Sequence, residues 1–298
     1  MPTVSVVIPT YNCADRLAQA LASVAEQSHA HVDLEIVVVD DGSTDDTTER
    51  VGAFAAGCDI QTRYVRQNNA GPAAARNHGL RLARGDAIAF LDADDWWLPA
   101  KIERQAALLG GDVGLVYCGN TFVDAAGRPL DGYVRRIGVH RGDIVLALFC
   151  DFFLLTSAVL LSADAVRAAG PFDESLGVGE DYEFFLRLAQ KCHADCAEEK
   201  LLVRCVRPDS LSRRDYALDA RIDLATLTRF VAANPAFARE HRGAVRRRIS
   251  RYHYDFAYRL LADRRRGEAI VELLRSLRAG AGSGAARTLV RALLPLRA

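Results

Sequence analysis

Ala89–Pro99 reads AFLDADDWWLP, and three aspartates, Asp92, Asp94 and Asp95, fall there within four positions. They follow directly on Ala87–Leu91 (AIAFL). A short, continuous apolar run of this kind is the pattern of a strand buried on both faces. Three like charges at its end repel one another unless a cation, water or backbone N–H groups compensate them. Either the aspartates cap a turn, which Asp does readily through its side-chain oxygens, or they hold something positive.

The preceding sequence repeats the pattern. Val4–Pro9 (VSVVIP), Leu34–Asp40 (LEIVVVD) and Thr62–Val65 read as strands, the first two as buried β-branched runs. Between them, Ala14–Gln27 has Leu17, Leu21 and Val24 at helical spacing, and Pro72–Ala83 is helical in composition. In DDGSTDDT, Asp41-Gly42 makes a turn and Ser43 or Thr44 is placed to cap a helix running through Val51 and Phe54. Strand and helix alternating over about 90 residues predict a mostly parallel, Rossmann-like α/β sheet flanked by helices. Such sheets bind ligands beyond the carboxyl ends of their strands. The four strands end in Thr10-Tyr11-Asn12, Asp40-Asp41-Gly42, Gln67-Asn68-Asn69 and Asp92-Ala93-Asp94-Asp95. Polar turns alone account poorly for four such clusters on one edge, so the edge reads as a binding site.

The second half is less regular. Val113–Cys118 is a strand, Phe152–Leu161 (FFLLTSAVLL) a further apolar stretch, and Ser162 caps a short helix. Glu180–Gln190 reads as a helix with Phe184, Phe185 and Leu188 on its apolar face, and Tyr64, Phe152 and Phe153 read as core. Beyond Arg213 the pattern is amphipathic helix, interrupted near Asn234-Pro235 and at Gly280–Gly284. Two regions follow: 1–212, and a helical Arg-rich region 213–298.

The chain is 50% hydrophobic and 26% charged, ordinary for a globular protein. Its net charge of zero hides an asymmetry. From Arg213 onward there are 19 Arg, no Lys and 8 acidic residues, a surplus of 11 positive charges balanced by the first 212 residues. A basic helical tail of this kind is either a solvated appendage or a surface for an anionic partner such as a membrane. Seven cysteines without regular spacing point to reduced thiols and a cytoplasmic setting. Cys192-His193-Ala194-Asp195-Cys196 matches no common zinc spacing. The opening MPTVSVVIPTYN has no basic stretch ahead of an apolar one, and no run of about 18 apolar residues occurs. These features predict a soluble or peripheral protein. No nucleic-acid recognition motif or aromatic interleaving accompanies the arginines, so nucleic acid is not an expected partner.

Two carboxylates one residue apart on a loop converge naturally on a hard divalent cation, Mg²⁺ or Mn²⁺, which takes oxygen ligands and leaves positions for substrate phosphates. A nucleoside diphosphate fits such an edge, with a carboxylate on an earlier strand accepting from a base N–H or a ribose hydroxyl. The chain has neither a P-loop nor a G-x-G-x-x-G fingerprint. The phosphates must therefore be held by metal and by side chains such as Arg76.

VSVVIPTYN, VVVDDGSTDDT, QNNAGPAAARNHGL, AFLDADDWWLP and GEDYEFFLRL, in this order, resemble the family 2 glycosyltransferases. The resemblance spans Val4 to Ser212, about 70% of the chain. It implies an A-type nucleotide-sugar-binding fold, with a donor part to about residue 110 and an acceptor part over 111–212. It further implies inverting transfer from a nucleotide-diphosphate sugar, most simply a UDP-sugar, to a saccharide or lipid-linked acceptor, in cell-surface polysaccharide or glycolipid synthesis. By position, Pro9, Thr10, Tyr11 and Asn12 border the nucleoside, and Asp40 meets the uracil or ribose with Asp41 beside it. Asn69, Arg76 and Asn77 line the donor pocket. Asp92 and Asp94, with Ala93 between them, match the D-x-D, Asp94 toward the metal and Asp92 toward ribose or metal-bound water. Asp95, Trp96 and Trp97 stand near the substrates, although one tryptophan could equally cover the core. Asp181 takes the place of the catalytic base, next to Glu180. In RCVRPDSLS, Arg204, Arg207 and Ser210 fall where the family has basic residues and a serine, but Cys205 replaces a common aromatic, which puts the phosphate role of Arg207 in doubt.

The base assignment has a physical argument as well. In a single displacement, a carboxylate near the acceptor hydroxyl takes its proton as it attacks, and a helix N-terminus both stabilises and aims that carboxylate. Two other readings stand beside this one. A sugar nucleotidyltransferase normally carries a Gly-rich basic loop after its first strand, where this chain has PTYNCAD. A non-catalytic nucleotide-sugar-binding protein is favoured where the base or the D-x-D is lost, and both are present. The tail helices, Gly243–Leu261, Glu268–Leu277 and Arg287–Leu296, could pack on the catalytic region, pair with another subunit, or lie peripherally on the inner face of the cytoplasmic membrane. Gly127–Gly142, by its Gly and Arg content, is a candidate substrate loop.

Overall fold

In a computed structural model of the chain, residues 2–28, 31–124, 126–130, 138–206, 216–280 and 283–293 are described. They fall into two units, Met1–Val145 with Phe153–Pro208, and Leu146–Phe152 with Asp209–Ala298.

The first unit is built on one eight-stranded sheet. Its strands are β1 (Thr3–Thr10), β2 (Asp33–Asp40), β3 (Gln61–Arg66), β4 (Ala87–Phe90), β5 (Asp95–Trp97), β6 (Val113–Val123), β7 (Val159–Ser162) and β8 (His193–Cys205), in the order β3-β2-β1-β4-β7-β6-β8-β5. The helices of this stretch are α1 (Ala14–Ala25), α2 (Thr47–Gly57), α3 (Pro72–Leu82), α4 (Lys101–Ala106), α5 (Val145–Cys150), α6 (Ala163–Ala169) and α7 (Glu180–Leu188). β1 to β4 are mutually parallel, as the alternation predicts. β7 then runs antiparallel to both β4 and β6, while β8 is parallel to β6. Within Phe152–Leu161, a 3-10 turn at Thr156–Ala158 leads directly into β7.

Helices cover both faces of the parallel part, which is why its strands read as unbroken apolar runs. On one face Val4, Val6, Ile8, Ile36 and Val38 pack with Leu17, Leu21 and Val24 of α1. On the other, Val37 and Val39 meet Ala75 of α3. Burying each Val, Ile or Leu contributes about 1.5–3 kcal/mol, and almost all of these are fully excluded from solvent.

The helix starts depart partly from expectation. Ser162 caps α6 as read, its Oγ accepting from Ala165 N–H at 3.1 Å. Ser43 and Thr44 do not cap α2. Ser43 Oγ accepts from Asn12 N–H at 2.9 Å, and Thr44 N–H donates to Asn12 Oδ1 at 2.8 Å. Asp45 takes over, accepting the Thr47 N–H and hydroxyl at α2 and the Ala14 N–H at the start of α1. Bonds that tie two strand ends together have displaced a purely local cap.

The second unit comprises α8 (Tyr216–Ala233), α9 (Pro235–Glu240), α10 (Arg242–Ala262), α11 (Arg266–Ala279) and α12 (Ser283–Leu293). A break falls at Asn234-Pro235 as read; the one expected at Gly280–Gly284 is shorter, because α12 starts at Ser283 and not at Arg287; a further one follows Asp263, where Arg264 has φ +61°. Phe256, Ala257 and Leu260 of α10 pack with Ala269 and Leu273 of α11 and Ala285 and Ala292 of α12. Phe149 of the 146–152 segment stacks against Phe230 and Phe237.

Gly85, in the turn before β4, sits where an added Cβ would lie 2.7 Å from both Ser5 N and Thr3 O. Neither atom can retreat, because both belong to the central strand. Gly85→Ala is expected to destabilise the first unit by about 1–3 kcal/mol, read as a lower urea midpoint with unchanged slope.

Candidate active site

Register builds the first half of the site. Thr10 pairs with Asp40 and Asp40 with Arg66, so the last residues of β1, β2 and β3 form one row at the carboxyl edge. Asp40 is fully buried. Its oxygens accept Ser43 N–H at 2.7 Å and the Tyr64 hydroxyl at 2.6 Å, with Arg66 Nε 3.9 Å away. Asp41 turns toward the loop after β3, accepting Gln67 Nε2, Ala70 N–H and Gly71 N–H at 2.8–2.9 Å. That loop passes so close that a Cβ on Gly42, whose φ is +86°, would stand 3.1 Å from the backbone nitrogen of exposed Asn69. Asn12 takes φ +47°, a left-handed conformation that Asn tolerates better than most residues. Pro9 is buried, Tyr11 exposed, and Thr10 Oγ1 is buried with no partner among the described residues.

The second half is joined by Arg76 of α3. Arg76 is 6% exposed, and its guanidinium donates to Glu180 Oε1 at 2.6 Å and to Asp92 Oδ1 at 2.9 Å. Burial works against the cation, but Asp92 and Glu180 outweigh it and raise the Arg76 pKa. Glu180 and Asp181 open α7 behind Gly179, which has φ +78°. Burial and the adjacent Glu180 charge push the Asp181 carboxyl up to about 7, against the opposing pull of Arg76 and of the Tyr182 N–H it accepts.

The three aspartates after β4 point to different places. Asp92 N–H donates to Ser157 Oγ at 3.0 Å, and the Ser157 hydroxyl donates to Asp95 Oδ2 at 2.7 Å. Asp95 is 4% exposed. Burial and the Asp92 charge raise its pKa well above the usual carboxylate range, opposed by Arg204, its pairing partner across β5 and β8. Asp94 is half-buried, and Ala93 packs into the core between its acidic neighbours. Trp97 is the tryptophan that covers the core. Its indole N–H donates to Ser157 O at 2.8 Å, and Lys101 Nζ lies 4.1 Å from its ring centroid. Trp96, next along β5, is half-buried.

Arg76, Glu180, Asp92 and Asp181 are thus brought together, while Thr10, Asp40 and Asp41 line the neighbouring strand ends. Asn77, expected in the donor pocket, also has a tethering role. Its amide donates to Phe172 O and Glu174 Oε1 and accepts Phe172 N–H, so it fastens the 172–174 segment to α3. Arg207, Ser210 and residues 131–137 of the loop expected at 127–142 lie outside the described residues. Arg66 and Ser157 emerge only in the structure; Tyr64, read as core, donates to Asp40, and Arg204, named from RCVRPDSLS, faces Asp95. The signal for Ser157 was present: Thr156-Ser157 are the only polar residues in FFLLTSAVLL. Ser157→Ala removes the hydroxyl that serves both Asp92 and Asp95. It is expected to lower stability by about 1–3 kcal/mol, measured by thermal melting, with Ser157→Thr recovering most of the loss.

Residues 5–156 match the family model described as glycosyl transferase family 2. The succinoglycan biosynthesis protein ExoU of Rhizobium meliloti is 30% identical over 82% of this chain and 73% of its own length. The chondroitin synthase of Escherichia coli is 32% identical over 64% of this chain, but the match spans only 27% of that larger protein. Among solved structures, S. aureus TarS 1-349 in complex with UDP-GlcNAc aligns over 94% of this chain and 82% of its own at TM-score 0.69 and 18% identity. The mannosyltransferase PcManGT of Pyrobaculum calidifontis, in complex with GDP-Man and Mn²⁺, aligns over 99% and 81% at TM-score 0.62 and 23% identity. The sheet and its flanking helices are the A-type glycosyltransferase fold, and the chain belongs to glycosyltransferase family 2.

Proposed function

We propose that the chain transfers a sugar, with inversion, from a nucleotide-diphosphate donor to a hydroxyl of a saccharide or lipid-linked acceptor during cell-surface polysaccharide or glycolipid synthesis. The observation that carries this reading is the Arg76 bridge, which brings the D-x-D carboxylate Asp92 and the Glu180–Asp181 pair to one place. The relatives support the setting: one is described as a succinoglycan biosynthesis protein and another as a chondroitin synthase. A UDP-sugar is the favoured donor because TarS is solved with UDP-GlcNAc and with UDP, while the GDP-Man complex of PcManGT makes GDP the alternative to test.

The strand-end row of Thr10 and Asp40 would receive the nucleoside, with Thr10 Oγ1 as an available polar atom. Asp92 and Asp94 would hold Mn²⁺ or Mg²⁺. The donor set fits such a cation: Asp92 has a 31% exposed side chain with one oxygen on Arg76, and Asp94 is half-buried, whereas Asp95 is turned inward to Ser157. Among the described residues no group of three His, Cys, Asp or Glu side chains converges as a cage, so the remaining ligands would be substrate phosphates and water. When bound, such a cation neutralises the diphosphate and stabilises its charge on departure.

Asp181 acts as the base. Its pKa near 7 leaves it ionised in part at neutral pH and basic enough to take the acceptor proton. The acceptor oxygen forms its bond to the anomeric carbon as the bond to the diphosphate oxygen breaks, and that electron pair leaves with the nucleotide. Arg76 holds the two halves in register. Its η nitrogens donate to both carboxylates, so in this arrangement it acts as a strut.

Titration calorimetry with UDP, GDP, dTDP and CDP, with and without Mn²⁺, tests the donor half. Metal-dependent UDP binding weakened at least about tenfold by Asp94→Ala is expected; metal-independent binding, or none to any nucleotide, overturns it. For the base, kcat/KM should fall below a pH near 7 as Asp181 takes up a proton. Asp181→Asn should abolish transfer and keep UDP binding. The raised Asp181 pKa means that folding disfavours its charged form, so the wild-type chain pays that penalty fully above pH 7 and not below pH 4. Asp181→Asn should therefore melt higher than wild type at pH 8, with the gain disappearing toward pH 4.

A further inference from the structure

The amphipathic helices of the second unit leave an apolar and basic face without a partner. Among the described residues nine large hydrophobic side chains are exposed, and five of them lie on α10 to α12: Tyr258, Val271, Leu274, Val290 and Leu293. On α12, Ala286, Val290 and Leu293 follow i, i+4, i+7 spacing and make one exposed stripe. Arg287 and Arg291 form the adjacent stripe, and the helix contains no acidic residue. The opposite side, Ala285 and Ala292 with partly buried Leu289, is the part that packs on α10 and α11. On α11 the same design recurs, with exposed Val271 and Leu274 beside Arg275 and Arg278. Arg266 fastens the start of α11 to the carbonyl of Ala292 near the end of α12, so the two helices form one hairpin.

The charge on this hairpin is one-sided. Its two acids are already used: Glu272 is buried against His253 and Arg275, and Glu268 pairs with Arg265. Arg278, Arg287 and Arg291 are exposed and make no ion pair among the described residues. Burial of this face by folding is therefore not what the exposed residues serve. A protein partner with an apolar patch would match the valines and leucines but not the unpaired arginines. An anionic lipid surface matches both, since apolar side chains enter the acyl boundary while arginines meet the headgroups.

We infer that the α11–α12 hairpin docks the protein on anionic membrane through Val271, Leu274, Val290 and Leu293, with Arg278, Arg287 and Arg291 on the headgroups. Docking there depends on no step of sugar transfer, so its test is separate from that of the proposed activity. The full chain is sedimented with vesicles of pure phosphatidylcholine and with vesicles carrying about a third phosphatidylglycerol. Binding only to the anionic vesicles, weakened by salt, is expected. Arg287→Gln with Arg291→Gln should weaken it by about thirty-fold, on the order of fivefold per arginine. Val290→Ser with Leu293→Ser should weaken it by at least about tenfold and should leave the melting temperature unchanged, because both side chains are already exposed. Equal binding to neutral vesicles, or anionic binding that neither pair alters, overturns the assignment. So does a chain that ignores vesicles but forms a dimer abolished by Val290→Ser with Leu293→Ser, which would make the face a contact between copies.

Discussion

Everything in the site hangs on one buried arginine. Arg76 reaches from α3 to the loop after β4 and to the first residue of α7, joining groups 104 positions apart in the chain. Burying a guanidinium and two carboxylates costs several kcal/mol per ion before their attraction and hydrogen bonds offset it. Removing any one member leaves an uncompensated charge, so the cluster holds as a unit. It also remains two positive charges short of balance when all are ionised, because Asp92, Glu180 and Asp181 face a single cation. The excess settles on Asp181, whose carboxyl is the one pushed up to about 7. Basicity there comes first from burial and then from the neighbouring Glu180 charge, with Arg76 opposing both.

A second constraint acts on the aspartate loop. Ser157 accepts from the Asp92 backbone and donates to the Asp95 side chain, while its own carbonyl takes the Trp97 indole. A hydroxyl can donate and accept at once, so the Ser157 side chain fixes the start and the inward carboxyl of DADDWW while its backbone carbonyl holds the aromatic end. With Asp95 drawn in and Trp97 locked beneath Lys101, the turn has little freedom to redirect Asp92 and Asp94. Those two remain nearer solvent, where a cation and diphosphate would be met.

This division of labour explains what the sequence made legible. Apolar runs marked β1, β2 and β4, since burial on both faces writes itself as unbroken hydrophobicity, and parallel pairing with the short, half-buried β3 then placed their polar ends on one edge. The antiparallel insertion of β7 and the pairing of β5 with β8 were not legible, because β5 has three residues and β8, HADCAEEKLLVRC, lacks a clean period. Nor could the sequence say which of two adjacent carboxylates turns inward. Asp40 meets Tyr64 and Asp41 meets the 67–71 loop; Asp95 meets Ser157, 62 residues away. Such choices are made by long-range hydrogen bonds that no local pattern encodes. Ser43 and Thr44 show the same limit, drawn from their expected cap by Asn12.

The charge asymmetry of the chain can be argued one step further. Most arginine-rich helices relieve their repulsion by pairing along the helix, as Arg251 does with Asp255 and Arg265 with Glu268. The relief stops at α12, where Arg287 and Arg291 stand four residues apart with no acid on the helix and with Val290 and Leu293 exposed beside them. Neither feature helps this unit fold: like charges at that spacing destabilise a helix by a few tenths of a kcal/mol, and exposed Val and Leu contribute nothing to the core formed by Ala285, Ala292 and Leu273. For the free chain in water the surface is a small net loss. Something both apolar and anionic would reverse that loss, and under the proposed use of a lipid-linked acceptor a surface of that kind is where the acceptor would be held.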